Sequence, residues 1–164
     1  MEHIKIRRMR YEDIPQVVAI EKDSFKKPYP PTLIMQILSY FPEGFLVAED
    51  VRSNKVVGYI MGLIEWNHGH IISIATSREY RRRGIGTALL KELEDILFKK
   101  YNLNCIVLEV RFNNREARMF YYRRGYMDKR LLPRYYEDNT DAILMIKKNP
   151  YREITDTSVI VNLW

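Results

Sequence analysis

The residues with the most definite chemistry lie in one turn. In the stretch "HIISIATSREYRRRGIGTALLKELEDIL", from His70 to Leu97, four arginines and two glycines stand between an apolar run and a helical pattern. Gly84 and Gly86 carry no side chain to shield the backbone, so N–H groups at the start of the helix can converge on one anion. The helix dipole adds to the attraction, and Arg81, Arg82 and Arg83 supply charge-assisted donors around it. Two phosphate motifs are excluded, because the P-loop requires G-x-x-x-x-G-K-[ST] and the dinucleotide fingerprint requires a third glycine where Leu89 stands. A solvated basic helix start is the alternative; the strand-to-helix context with two glycines predicts a pyrophosphate cradle here.

At these residues the sequence resembles the GNAT superfamily of acetyl-CoA-dependent N-acetyltransferases, whose Q/R-x-x-G-x-G/A signature is matched from Arg81 to Gly86. More narrowly, "SIATSREYRRRGIGTALL", "LEVRFNNREARMFYYRRGY" and "RYYEDNTDAILM" are similar to the RimI-type and archaeal N-terminal acetyltransferases, over a span from about Ile4 to Lys148. The resemblance implies acetyl-CoA as cosubstrate, no metal, and direct attack in a ternary complex without an acyl-enzyme. The implied acceptors are the N-terminal α-amines of proteins or peptides, ribosomal or nascent proteins among them. It also implies that backbone groups of Ile74, Ala75 and Thr76 meet the pantetheine arm. Arg82, Arg83, Gly84, Ile85, Gly86 and Thr87 would meet the pyrophosphate, and Asn114 would be a further cofactor contact. Tyr29 in "FKKPYPPT", with Tyr135 and Tyr136 in "RYYED", would hold the peptide backbone, a task suited to aromatics with a hydroxyl. Lys26 and Lys27 stand where some archaeal relatives carry a Glu, so no role borrowed from that Glu extends to this chain.

Acetyl transfer from a thioester to an amine needs a proton acceptor for the amine and a donor for the departing thiolate. An α-amine has a pKa of about 8 and lysine about 10.4, so an N-terminal substrate needs only a mild base. Glu109 in "CIVLEVR" shares a strand face with Cys105 and Val107, surroundings that favour a raised carboxylate pKa; a surface Glu paired with Arg is the alternative, and the resemblance favours the base. His70 begins the strand that ends at the glycine turn and has the natural pKa of a ready base; an exposed histidine at a strand end is the alternative. Tyr121 lies seven residues after Asn114, two helical turns on, and the resemblance selects it as the acid, with core packing assigned to Phe120 and Tyr122. Cys105, mid-strand without a partnering His, is expected to pack and not to react. The "HGH" pair of His68 and His70 lacks a third ligand nearby, so no metal is expected.

These side chains require a layered frame. "HIKIRR" predicts a strand, and "YEDIPQVVAIEKDSF" a helix with Asp13 near its start and Ile14, Val17 and Val18 on one face. After "KKPYPP" comes a helix "TLIMQILSYF", with Thr32 as its cap. "GFLVAED", the turn "RSNK", "VVGYIMGLIEW" and "HIISIAT" form a meander. Then follow a helix with Ile85, Leu89 and Leu93 at helical spacing, a strand "NCIVLEVRF", a helix "NNREARMFYYRRG" ended by Gly125, and strands "YMDKRLL" and "DAILMIKK". The order β-α-α-β-β-β-α-β-α-β-β makes an α/β protein, with a single mixed sheet and helices on both faces as the GNAT resemblance implies.

Composition bounds the rest. The chain has 164 residues, 46% hydrophobic and 29% charged, which suits one globular domain over residues 1–149 with a tail, 150–164, of undetermined role. No apolar run is long enough to span a bilayer, "MEHIKIRRMRY" lacks the core of a signal peptide, and the single Cys105 suits a reducing compartment, so a cytoplasmic protein without membrane partners is expected. A net charge of +6 favours anionic ligands. A non-enzymatic nucleic-acid-binding protein would use that charge, but no helix-turn-helix, zinc-finger or RNP pattern is present and the glycines would be left unexplained. A GNAT enzyme acting on internal lysines or small amines is the other alternative.

Overall fold

The two buried runs after "PEG" pair as expected: in the computed structural model, which describes residues 1–152, they are the second and third of seven strands. The order along the chain is β1 (Ile4–Arg8), α1 (Ile14–Ser24), α2 (Pro31–Tyr40), β2 (Phe45–Asp50), β3 (Lys55–Glu65), β4 (His68–Thr76), α3 (Ile85–Asp95), β5 (Cys105–Arg111), α4 (Arg115–Tyr122), β6 (Met127–Leu132) and β7 (Ala142–Lys148). The strands form one mixed sheet in the order β1-β2-β3-β4-β5-β7-β6, with β4 and β5 parallel. β2 pairs antiparallel with β1 and β3, and β7 with β5 and β6.

By internal packing the chain forms two units, Met1–Leu63 with Ile71–Ile96, and Ile64–His70 with the chain from Leu97 onward. In the first unit Val17 and Ile34, from α1 and α2, pack with Phe45, Val47 and Tyr59 of β2 and β3. Side chains alternate across a strand, so position 58 points to the other face, where an added Cβ at Gly58 would meet Ile85 and Leu89 of α3 at 3.1 and 3.4 Å. Helices therefore cover both faces of this part of the sheet. Arg7 of β1 fixes the entry to α1: it donates to both oxygens of the buried Asp13 at 2.7 and 2.8 Å and to Glu49 of β2 at 2.5 Å. In the second unit Cys105, Val107, Leu144 and Ile146 form a small core from the antiparallel pair of β5 and β7.

Three local expectations are corrected. Thr32 is no cap: α2 begins at Pro31, with Pro30 in the cap position, because the ring's φ suits the first helical residue and its missing N–H is not needed there. β4 begins at His68, earlier than the apolar run suggests. α4 begins at Arg115, which leaves Asn114 outside the helix as its cap. At the end of the domain Asn149 donates to the carbonyls of Phe98 and Leu103, and the N–H of Tyr151, in the tail, donates to Asn149 Oδ1; residues 153–164 lie outside the described residues, and with them most of the segment whose role was left open.

Gly58 sets how closely α3 approaches the sheet. Gly58→Val adds a branched side chain against Ile85 and Leu89, and is expected to cost about 1–3 kcal/mol of stability, seen as a lower urea midpoint with an unchanged denaturant slope.

Candidate active site

The arginine-glycine turn belongs to the first unit. Gly84 adopts φ +83°, the left-handed conformation that lets the chain turn into α3, and as the cap residue it has no side chain to offer the first amides. A Cβ at Gly84 would meet nothing within 4 Å, so glycine serves conformation there and not close packing. Arg82 is also left-handed, at φ +61°. The arginines are not three equal donors around this helix start. Arg81 donates from Nε to the carbonyl of Thr76 at 3.0 Å, and Arg83 lies over the Tyr80 ring with its guanidinium 5.0 Å from the centroid. Arg81 thus braces the turn against the end of β4. Ile74, Ala75 and Thr76 are half-buried at that end of β4.

The second unit holds the titratable cluster. The parallel register sets His68, Gly69 and His70 against Cys105, Ile106 and Val107, and Glu109 lies two residues further on the face of Val107. His70 Nε2 is 2.7 Å from Glu109 Oε2, and His70 Nδ1 is 2.7 Å from Glu65 Oε1. With a carboxylate at each nitrogen the imidazole carries two protons and donates both. Burial alone disfavours that charge, but the bond to Glu109 and its charge, then those of Glu65, outweigh it and push the pKa up to about 9. The natural pKa expected of His70 is thereby overridden: near neutral pH it holds its proton. His68 is 2% exposed, with no hydrogen bond to either ring nitrogen among the described residues, and its pKa is lowered by burial.

Glu65 was not singled out from sequence. A two-residue turn, Trp66–Asn67, joins β3 to β4, which puts Glu65 opposite His68 and diagonal to His70 on one face. The signal was present in "EWNH", a short turn between strands with an acid at its edge.

Tyr121 is the buried residue of α4, 7% exposed, with Phe120 and Tyr126 edge-on to its ring. The expectation that Phe120 and Tyr122 would fill the core is reversed, because the helix turns the ring of Tyr121 inward. Burial, with a lesser contribution from Tyr136, raises its pKa and keeps the phenol protonated. The Tyr122 hydroxyl is engaged elsewhere: it donates to Asp128 at 2.6 Å and accepts from Arg118 at 3.1 Å. Asn114 accepts from the Ala117 N–H at 3.1 Å as the cap of α4, so the two-turn helical spacing read from Asn114 to Tyr121 starts from a residue outside the helix. Tyr135 and Tyr136 stack edge-on at 5.0 Å, and Arg111 lies over Tyr136 at 4.1 Å while binding Asp138. Tyr29 follows α1, half out of the surface at 37% exposure. Cys105 is fully buried and its thiol is pushed up to about 11 by burial, which suits packing and not nucleophilic attack.

Residues 14–126 match the acetyltransferase (GNAT) family. The chain is similar to an uncharacterized N-acetyltransferase of Methanocaldococcus jannaschii, 52% identical over 97% of this chain and 99% of the other. It is also similar to an N-alpha-acetyltransferase of Sulfurisphaera tokodaii, 36% identical over 86% of this chain and 90% of the other. Among solved structures it is similar to a chain of the NatB acetyltransferase complex bound to CoA and MES, at 26% identity and a TM-score of 0.80 over 89% of this chain and 99% of that one.

The raised pKa of His70 has a definite sign. The stability its bonds confer is complete below the ordinary histidine value of 6.5 and is lost as pH rises through about 9. NMR titration of the ring protons of His70 is expected to give a midpoint near the higher value, and Glu65→Gln to move it toward neutrality, since the amide still accepts the Nδ1 proton but carries no charge.

Proposed function

The chain belongs to the acetyltransferase (GNAT) family, and from that premise we propose that it transfers the acetyl group of acetyl-CoA to the N-terminal α-amine of protein or peptide substrates. The observation that carries this reading is the carboxylate of Glu109 held 2.7 Å from the His70 imidazole. An α-amine has a pKa of about 8 and a lysine about 10.4, so the α-amine asks less of a carboxylate that is to take its proton. The name of the Sulfurisphaera relative supports the same acceptor, and the CoA in the NatB structure supports the donor.

The residues fit the donor. The amides of the first turn of α3, which begins at the glycine cap Gly84, would receive the pyrophosphate around Ile85, Gly86 and Thr87, with Arg82 and Arg83 at its rim and Arg81 bracing the turn. The backbone of Ile74 and Ala75 would lie along the pantetheine arm, and Asn114 would contact the cofactor through its amide nitrogen, because its Oδ1 caps α4. Tyr29, Tyr135 and Tyr136 would hold the peptide.

In the reaction the amine nitrogen attacks the thioester carbon, the C–N bond forms and the C–S bond breaks. Nitrogen becomes acidic as it takes on positive charge, so Glu109 can accept its proton directly or through one water. His70, already protonated, orients Glu109. The Tyr121 phenol donates a hydrogen bond to the departing thiolate. No enzyme nucleophile is required, and the buried Cys105 is not used.

Mass spectrometry after incubation with acetyl-CoA and a peptide library tests the reading. Acetyl groups are expected on free N-termini, while peptides with blocked N-termini and free lysines remain unmodified; acetylation confined to lysine side chains would refute it. Gly86→Val places a branched side chain in the first turn of α3 and is expected to abolish acetyl-CoA binding measured by calorimetry, leaving the fold intact by circular dichroism. Tyr121→Phe keeps the ring and removes only the donor, so single-turnover rates are expected to fall by roughly 100-fold with acetyl-CoA affinity unchanged, and Tyr122→Phe to be nearly silent.

A further inference from the structure

Outside the catalytic cluster, α1 contains a carboxylate that the chemistry does not use. Glu21 is 1% exposed. Its Oε1 accepts the backbone N–H of Tyr29 at 3.2 Å, and its Oε2 accepts the Ser73 hydroxyl at 2.9 Å together with the Tyr59 hydroxyl. These donors are neutral. A carboxylate buried among neutral donors is a costly way to join a helix to a sheet, and the adjacent contacts of α1 use Val17, Val18 and Ile20 for that purpose. We propose that Glu21 is a positioning residue that holds the loop between α1 and α2, and with it Tyr29, in place for the peptide substrate; the inference rests on the acceptor proposed above.

The loop sequence shows why the anchor is a carboxylate at this place. In "KPYPPT" Pro28, Pro30 and Pro31 have no N–H, so Tyr29 supplies the only backbone donor between Lys27 and Thr32. That one donor goes to Glu21. The backbone of Tyr29 is thus drawn inward while the residue stays 37% exposed at the surface. The other carboxylate oxygen is held by β3 through Tyr59 and by β4 through Ser73, the residue before the segment assigned to the pantetheine arm. Burial and the charge of Glu21 raise the pKa of Tyr59, so its hydroxyl stays a donor. One side chain therefore ties the loop proposed for the peptide to the strand proposed for acetyl-CoA.

The test is a comparison of Michaelis constants, using a peptide that the parent enzyme acetylates. Glu21→Met keeps the volume and removes both acceptors. It is expected to raise the peptide KM by ~10-fold or more, while kcat and the acetyl-CoA KM change by less than ~3-fold. Glu21→Gln can turn its carbonyl to Tyr29 and its NH2 to the two hydroxyls, which accept, so it is expected to restore the peptide KM. If the Met variant does not fold, Glu21→Asp, which keeps the charge but draws the carboxylate back by one methylene, is expected to show the same selective rise. An active parent whose Met or Asp variant keeps the peptide KM, or loses kcat and both KM values alike, overturns the role of Glu21 alone. A parent that acetylates no peptide N-terminus overturns the proposed function and this inference with it.

Discussion

A charged imidazole held between two carboxylates is the interaction on which the candidate site depends. His70 is 18% exposed at its side chain and Glu109 10%, so the pair is largely removed from water and its charges must satisfy each other. Removing one partner from such a group strands the other, which is why buried pairs are costly to break even where they add little net stability. The backbone meets this demand from two directions. The parallel register of β4 and β5 brings His70 to Val107 and so within reach of Glu109, and the two-residue turn after β3 returns Glu65 to the opposite nitrogen.

The same economy recurs in the first unit, with different partners. Asp13 is buried but meets Arg7 and the Arg10 N–H, and its pKa is lowered because those bonds outweigh burial, the largest single effect and one that acts to raise it. Glu21 meets hydroxyls and one amide. Asp50 accepts the Tyr80 hydroxyl at 2.8 Å just before the arginine-glycine turn. Asp13 begins α1 and Asp50 ends β2, while Glu21 lies in the last turns of α1; each acid joins its own element to a neighbour.

Local features were legible in the sequence and distant registers were not. The turn at Gly84 could be read because a left-handed residue and a helix start are set within a few positions. The eleven-element order could be read because the periods of strand and helix differ. Thr32 misled because a good capping residue stood one place inside a proline that already began the helix. Tyr121 and Phe120 exchanged places because the phase of α4 depends on what it covers. The partners of His70 required the β3 turn and the β4–β5 register together, a relation no single window contains. Glu21 did leave a trace: it completes the spacing of Ile14, Val17 and Val18 on α1, an acid where the apolar face calls for a hydrophobe.

The most direct measurement is a crystal structure with a bisubstrate analogue in which CoA is joined through an acetyl linker to a peptide N-terminus. The linked nitrogen is expected within hydrogen-bond reach of the Glu109 carboxylate, directly or through one water, with His70 still bound between Glu109 and Glu65. A nitrogen facing any other group, with Glu109 and His70 remote from it, would overturn the role given to this pair.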